Sequence, residues 1–218
     1  MQSTFRPATD EWLIDIQWLE TVSRLRLGQP VADKDWDVAY PPSYAELSSV
    51  NWSPVSVARR AAELLSTGPA TRILDIGSGV GKFCVIAALT APGMFVGVER
   101  FGAMVDVARA IARRADVSTA HFVYGRMEDI DWMNFDGFYL FNPFVERWCL
   151  DFRIIGPTAA AAAECRQLIS LAEQKLGQAR SGSRVVTYHG FGGEMPSCFR
   201  LKVKEPFGTD FLECWERL

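Results

Sequence analysis

The sequence predicts a doubly wound α/β domain: a mostly parallel, seven-stranded, Rossmann-like sheet with an antiparallel C-terminal hairpin, plus an N-terminal helical extension. Three observations predict it. From residue 72 onward short apolar runs alternate with helical ones, a glycine-rich turn follows the first run, and the last two runs flank Glu205-Pro206-Phe207-Gly208. The 218 residues suffice for one domain with a modest extension, burying roughly 70% of the unfolded surface. The extension, with a lid-like connection, takes residues 1–52, and the main domain takes residues 53–218.

The elements follow in order. In residues 9–27 the apolar positions Trp12, Ile16, Leu19, Val22 and Leu25 recur every three or four residues, the spacing of an amphipathic helix. Residues 28–52 carry Pro30, Pro41 and Pro42 among Ser, Asp and Tyr, and read as an irregular connection, either a substrate-side lid or a loop draped over the fold. Ser53 as N-cap and Pro54 at the first helical position open a helix that runs through Leu65 to the stop Gly68-Pro69. Strands are expected at 72–76, 94–98, 121–124 and 137–141, with helices at 80–89 and 103–114 between them. An Ala-rich helix at 158–176 precedes a strand at 184–189, and strands at 197–204 and 209–215 form the closing hairpin.

Composition excludes several classes. With 23 Lys+Arg against 26 Asp+Glu the net charge is −3, which argues against a protein that coats nucleic acid through concentrated cations. The apolar run 83–98 is broken by Thr90-Ala91-Pro92-Gly93 and is too short for a membrane span. Residues 1–15 lack a cationic start with an apolar core, so no secretory signal is visible and cytoplasmic residence is the default expectation. The five cysteines, Cys84, Cys149, Cys165, Cys198 and Cys214, form no Cys-x-x-Cys pair and mostly sit in apolar stretches, as reduced buried thiols do. No metal site is expected.

The glycine turn carries the chemistry. Residues 73–83 read Ile-Leu-Asp-Ile-Gly-Ser-Gly-Val-Gly-Lys-Phe, a buried strand running into three alternate glycines and then a helix. Glycines there let the chain turn off the strand end and let backbone amides approach a ligand. A phosphate-cradling P-loop needs Gly at position 76 and Ser or Thr at position 83, where this chain has Ile76 and Phe83, so Lys82 is not a phosphate lysine. A dinucleotide fingerprint needs a third glycine where Lys82 stands.

What remains is Gly77-x-Gly79-x-Gly81 with Asp75 two residues ahead and Glu99 closing the second strand within Val96-Gly97-Val98-Glu99. This pattern resembles the cofactor site of the class I S-adenosylmethionine-dependent methyltransferases. The resemblance implies that Gly77, Ser78, Gly79 and Gly81 form the cofactor turn, that Glu99 accepts both ribose hydroxyls, and that Asp75 meets the methionine ammonium. Arg100 follows Glu99 and is carried with it. A third family position matches Gly125-Arg126-Met127-Glu128-Asp129, with Met127 as an apolar adenine neighbour and Glu128 as a polar candidate. Arg126 departs from the family there, where Asp is commonest.

The fourth strand ends in Asn142-Pro143-Phe144, beyond the carboxyl ends of the strands where open α/β sheets bind ligands. The tripeptide resembles the Asn-Pro-Pro-Tyr/Phe motif of the amino methyltransferases, with the second Pro missing. That implies that Asn142 and the Pro143 carbonyl orient a target nitrogen while Phe144 stacks on a planar group; a core-packed Phe144 in a plain turn is the alternative. The Gly-Ser-Gly-Val-Gly wording is also similar to that of the non-SET histone-lysine methyltransferase group. His189, at the end of the fifth strand, is the candidate base if the acceptor must shed a proton, and a structural strand-end role is its alternative. His121 reads as structural. Trp36, Tyr40, Tyr44, Trp52, Phe144 and Trp148 supply aromatic walls for an acceptor pocket or ordinary packing, and Arg147 and Arg153 are candidates for an anionic substrate.

The expected activity is methyl transfer from S-adenosyl-L-methionine to a nitrogen of a protein side chain or small molecule, rather than of nucleic acid. A non-catalytic S-adenosylmethionine-binding or scaffolding domain is the alternative, and glycine spacing disfavours a nicotinamide dehydrogenase. The sequence identifies neither the acceptor nor the oligomeric state.

Overall fold

Period-2 alternation in the central strands sends Ile73 and Phe95 to one face and Leu74, Ile76, Val96 and Val98 to the other, and both faces are buried. The computed structural model describes residues 9–144, 159–208 and 210–218. In it β1 (Arg72–Ile76) pairs in parallel with both β2 (Met94–Glu99) and β4 (Gly137–Leu140). Beyond them, β2 pairs with β3 (Ala120–Tyr124) and β4 with β5 (Arg184–Tyr188), again in parallel. The antiparallel hairpin of β6 (Phe199–Phe207) and β7 (Asp210–Arg217) docks on β5 through β7, so the order is β3-β2-β1-β4-β5-β7-β6. The order reverses between β1 and β4. A crevice opens at such a reversal beyond the carboxyl ends of the strands, and it positions everything that follows.

The first face is covered by α5 (Val55–Leu65), α6 (Lys82–Thr90) and α7 (Gly102–Arg114), with α1 (Thr9–Arg26) outside them. The second is covered by α8 (Ala159–Gln178) and by 3₁₀ turns at Met127–Asp129 and Trp132–Asn134. The buried stripe of α1 is Trp18, Thr21, Val22 and Leu25, whereas Ile16 and Leu19, expected inside, are exposed. The side chain of Trp12 lies outside the described residues. Val22 and Leu25 are buried as expected, and Trp18 and Thr21 complete the stripe: Trp18 packs edge-on against Trp36 at 4.8 Å between ring centroids.

Residues 28–52 depart from the expected irregular connection, forming three short helices: α2 (Asp33–Asp37), α3 (Pro42–Ala45) and α4 (Ser48–Asn51). A charge holds them. Lys82, 2% exposed at the start of α6, directs Nζ to Asp33 Oδ1 at 2.7 Å, Asp37 Oδ1 at 2.9 Å and Ser48 Oγ at 2.9 Å. Three acceptors satisfy the three protons of a buried ammonium, which otherwise carries a large desolvation penalty. Asp33 Oδ1 also accepts the Val55 amide at 2.9 Å, so a carboxylate from α2 takes the role expected of Ser53 at the start of α5. The Ser53 hydroxyl instead pairs with the Tyr139 hydroxyl at 2.6 Å inside the core.

Strand and helix limits elsewhere fall within three residues of expectation. Cys84, Cys165 and Cys214 are buried free thiols and Cys198 is half-buried, while Cys149 lies outside the described residues. Among the described residues no helix is long and apolar enough to cross a membrane, and no group of three His, Cys, Asp or Glu side chains is arranged to hold a metal.

Candidate active site

The chain leaves β1 through Gly77, Gly79 and Gly81 with φ of 74°, 53° and 79°, the left-handed region that only glycine enters without cost. The turn is pinned to its neighbour strand, because the Gly77 and Ser78 amides both donate to the Val98 carbonyl, at 3.0 and 3.1 Å. A Cβ on Gly77 would stand 3.3 Å from Pro143 Cβ, so the absent side chain keeps open the gap between the ends of β1 and β4. Glu99, 3% exposed at the end of β2, holds the turn from the other side. Its Oε2 accepts the Gly79 amide at 3.0 Å and its Oε1 accepts the Phe101 amide at 2.9 Å. Each oxygen keeps a lone pair for a further donor.

Two cavities meet at Gly77. The larger, about 290 Å³, runs past Glu99, Arg100, Phe101, Met127, Glu128 and Pro143, with Phe144 and Leu168 in its wall. The smaller, about 20 Å³, is bordered by Asp75, Ser78, Trp52, Asn51, Tyr139 and Phe141. A large, mostly apolar compartment ending in a carboxylate thus joins a small one of mixed aromatic and polar wall. Seven of the twelve expected site residues line the larger cavity: Gly77, Glu99, Arg100, Met127, Glu128, Pro143 and Phe144. Asp75 and Ser78 line the smaller.

Three do not line either. Gly79 works through its bond to Glu99. Gly81 serves packing, since a Cβ there would meet the Phe122 ring at 2.6 Å and Ala108 Cβ at 2.7 Å. It lets α6 start hard against β3 and α7. Asn142 sits between Phe141, which borders the smaller cavity, and Pro143, which borders the larger. Its φ is +43°, and its amide donates to the Gly190 carbonyl at 3.0 Å. A non-glycine residue held there is strained, and such strain gathers at functional sites.

Phe144 is buried in the second core cluster, and its carbonyl faces the Cys165 thiol at 3.7 Å. It also borders the larger cavity, so its burial matches the core-packed alternative while its ring remains part of the site wall. Glu128 is engaged by Arg126, whose Nε and Nη2 stand 3.0 and 2.8 Å from Oε1. His189 has the partner that its structural reading foresaw: Nδ1 lies 2.6 Å from Asp210 Oδ2. Its φ of +59° makes it a second strained residue beside Asn142, and its ring centroid is 5.7 Å from that of Phe141. His121 is exposed on β3.

Of the aromatic walls, Trp36, Tyr40 and Trp52 are buried and Tyr44 packs against Trp52. Trp148, Arg147 and Arg153 lie outside the described residues. Burial pushes the Tyr139 hydroxyl and the Cys84 thiol well above their usual ranges, and the nearby Asp75 carboxylate pushes both further, so both stay protonated and neither is a base or nucleophile at neutral pH. Sequence reading passed over Phe101, Leu168 and Asn51. Apolar spacing of three to four residues was the available signal for Leu168, which packs against the second core cluster from α8; the other two had none.

Residues 68–174 match the family model of the methyltransferase domain. The match identifies a methyltransferase domain within the chain. No curated protein sequence matches this methyltransferase. Its fold is similar to that of an RNA methyltransferase from Salinibacter ruber, solved in complex with S-adenosyl-L-homocysteine. They share 20% identity and a TM-score of 0.54 over 76% of this chain and 92% of that one. It is also similar to the putative methyltransferase yhhF from Escherichia coli, at 12% identity and a TM-score of 0.54 over 74% and 85% of the two chains. TrmN from Thermus thermophilus gives 15% identity and a TM-score of 0.55 over 80% of the methyltransferase and 52% of TrmN. At these identities the likeness is one of fold.

The cofactor of the family is S-adenosyl-L-methionine, and the site fits it. The larger cavity has the size and apolar wall that a nucleoside needs, with spare lone pairs on Glu99 at one end, and the glycine cradle leads from it to the small compartment beside Asp75 and Ser78.

Proposed function

We propose that the protein methylates a nitrogen of a protein side chain or small molecule at the turn formed by Asn142 and Pro143. The observation that carries this reading is the position of Asn142, strained at φ +43° and lodged between residues that border the two cavities. An amide oxygen and a proline carbonyl together can accept two hydrogens of an NH₂ group and aim its lone pair. The family likeness of Asn142-Pro143-Phe144 supports the same assignment.

In this reading Glu99 accepts the ribose hydroxyls while its Gly79 and Phe101 bonds fix the carboxylate plane. Met127 and Phe144 flank the adenine, with Arg100 and Glu128 at the cavity rim. With their amides held by the Val98 carbonyl, Gly77 and Ser78 offer the Gly77 carbonyl and the Ser78 hydroxyl to the amino-acid end, and Asp75 supplies the negative charge that an ammonium requires. The bound cofactor supplies a methyl group activated by its sulfonium. The chain supplies alignment and exclusion of water, which together account for most of such a displacement. Residues 53–218 are assigned as the transferring unit, and the short helices of residues 28–52, anchored by Lys82, cover it beside the glycine turn.

The test is transfer of radiolabelled methyl from S-adenosylmethionine to a panel of peptides, small amines and RNA, the last because one of the similar folds is described as an RNA methyltransferase. The reading expects N-methyl product on a peptide or amine, abolished by Asn142→Ala with cofactor binding retained. Product on an RNA base would replace the acceptor class, and product on oxygen would overturn the role of Asn142.

A further inference from the structure

Resting on the cofactor reading above, we propose that the indole Nε1–H of Trp52, in the N-terminal segment, receives the carboxylate of the cofactor's amino-acid end. Trp52 immediately follows α4, is 6% exposed, and leaves its Nε1 without a partner. Elsewhere buried indoles satisfy theirs: Trp36 Nε1 donates to the Tyr40 hydroxyl at 2.9 Å and Trp132 Nε1 to the Met127 carbonyl at 3.3 Å. Trp18 Nε1 is unpaired too, but Trp18 borders neither cavity and stacks under the Arg114 guanidinium. An unpaired buried donor on a cavity wall is a vacant half of a hydrogen bond.

The indole is set against the glycine turn. A Cβ on Gly79 would stand 3.0 Å from Trp52 Nε1, so glycine at that position is what lets the ring come down onto the turn. Ser78 Oγ, on the same small cavity, is the other buried donor there with no partner. The cationic group at hand, Lys82, has its three protons on Asp33, Asp37 and Ser48 and is not free to bind an anion. A zwitterion placed with its ammonium toward Asp75 therefore meets Trp52 and Ser78 with its carboxylate. Lys82 acts as a positioning residue, because the segment that ends in Trp52 is the one it anchors.

The test compares S-adenosylhomocysteine, which carries the amino-acid end, with 5′-methylthioadenosine, which lacks it, by calorimetric titration of wild type and Trp52→Phe. Trp52→Phe is expected to weaken S-adenosylhomocysteine by about tenfold or more, the effect of losing one hydrogen bond to a charged group, and to leave methylthioadenosine unchanged. Equal affinity of both proteins for S-adenosylhomocysteine, or equal weakening of both ligands, overturns the proposal. If Trp52→Phe does not fold, the indole ¹⁵N–¹H resonance of Trp52 in the wild type decides. A downfield proton shift with S-adenosylhomocysteine but not methylthioadenosine supports it, and no shift overturns it. Wild type that binds neither ligand refutes the cofactor reading itself, a result distinct from the others.

Discussion

The Gly79 amide donates to Glu99 Oε2 at 3.0 Å, joining the middle of the glycine turn to the end of the neighbouring strand through a buried carboxylate. The acid is thus a structural strut as well as a wall of the larger cavity. Glu99→Gln keeps the shape but turns an NH₂ group toward one of the two backbone N–H donors. It is expected to lower the unfolding free energy by about 1–3 kcal/mol, measured by urea titration without ligand.

Lys82→Met removes the ammonium from between Asp33 and Asp37. The expected loss is about 3 kcal/mol, the low end for breaking a buried pair, because Asp33 remains half exposed. Limited proteolysis separates this from a general loss of packing: cleavage is expected first within residues 28–52, with the sheet resistant.

Gly81→Ala places a methyl group into the Phe122 ring and Ala108 at a backbone φ of +79°. Left-handed strain and overpacking together are expected to cost about 3 kcal/mol, lowering Tm by about 6–12 °C in a chain of this size. Differential scanning calorimetry measures it directly.

Arg60 grips Glu205 through Nε at 2.9 Å and Nη2 at 2.7 Å, joining α5 to β6. These bonds hold the Glu205 carboxyl below its ordinary value of 4.5. A depressed folded value means the contribution is fully present above pH 4.5 and disappears as pH falls through the folded value. Both side chains are about one-third exposed, so solvent screening keeps the effect to about 0.5–1 kcal/mol. Glu205→Gln is expected to lose this much at pH 7, with the difference from wild type vanishing in acid. Stability curves from pH 7 to pH 2.5 provide the measurement.

The sheet, its flanking helices and the C-terminal hairpin were legible because each is written locally, in alternation, helical spacing and turn residues. The path of β1 into Gly77 was legible for the same reason, and so was the closing position of Glu99. What escaped depends on partners far apart in the chain. Nothing near Lys82 announces Asp33 and Asp37, 49 and 45 residues away, and an aspartate on α2 displaces Ser53 as acceptor at the start of α5. Residues 28–52 read as irregular because their order comes from that charge cluster and from Trp36, Tyr40 and Trp52 packing, not from periodicity. In α1 Val22 and Leu25 were legible, but the buried face takes in Trp18 and Thr21 rather than Ile16 and Leu19. Gly81 illustrates a different difficulty: motif spacing does not announce that a Cβ there would meet the Phe122 ring and Ala108.

The central claim is that the cavity between Glu99 and the glycine turn binds S-adenosylmethionine and its demethylated product. Isothermal titration of wild type and Glu99→Ala with S-adenosylhomocysteine tests it most directly, with NAD titrated in parallel. Saturable binding to the wild type at one site per chain, weakened at least about tenfold in Glu99→Ala by loss of charge-assisted bonds, with no binding of NAD, is the predicted result. Absence of S-adenosylhomocysteine binding to folded wild type, or equal affinity in Glu99→Ala, would contradict it.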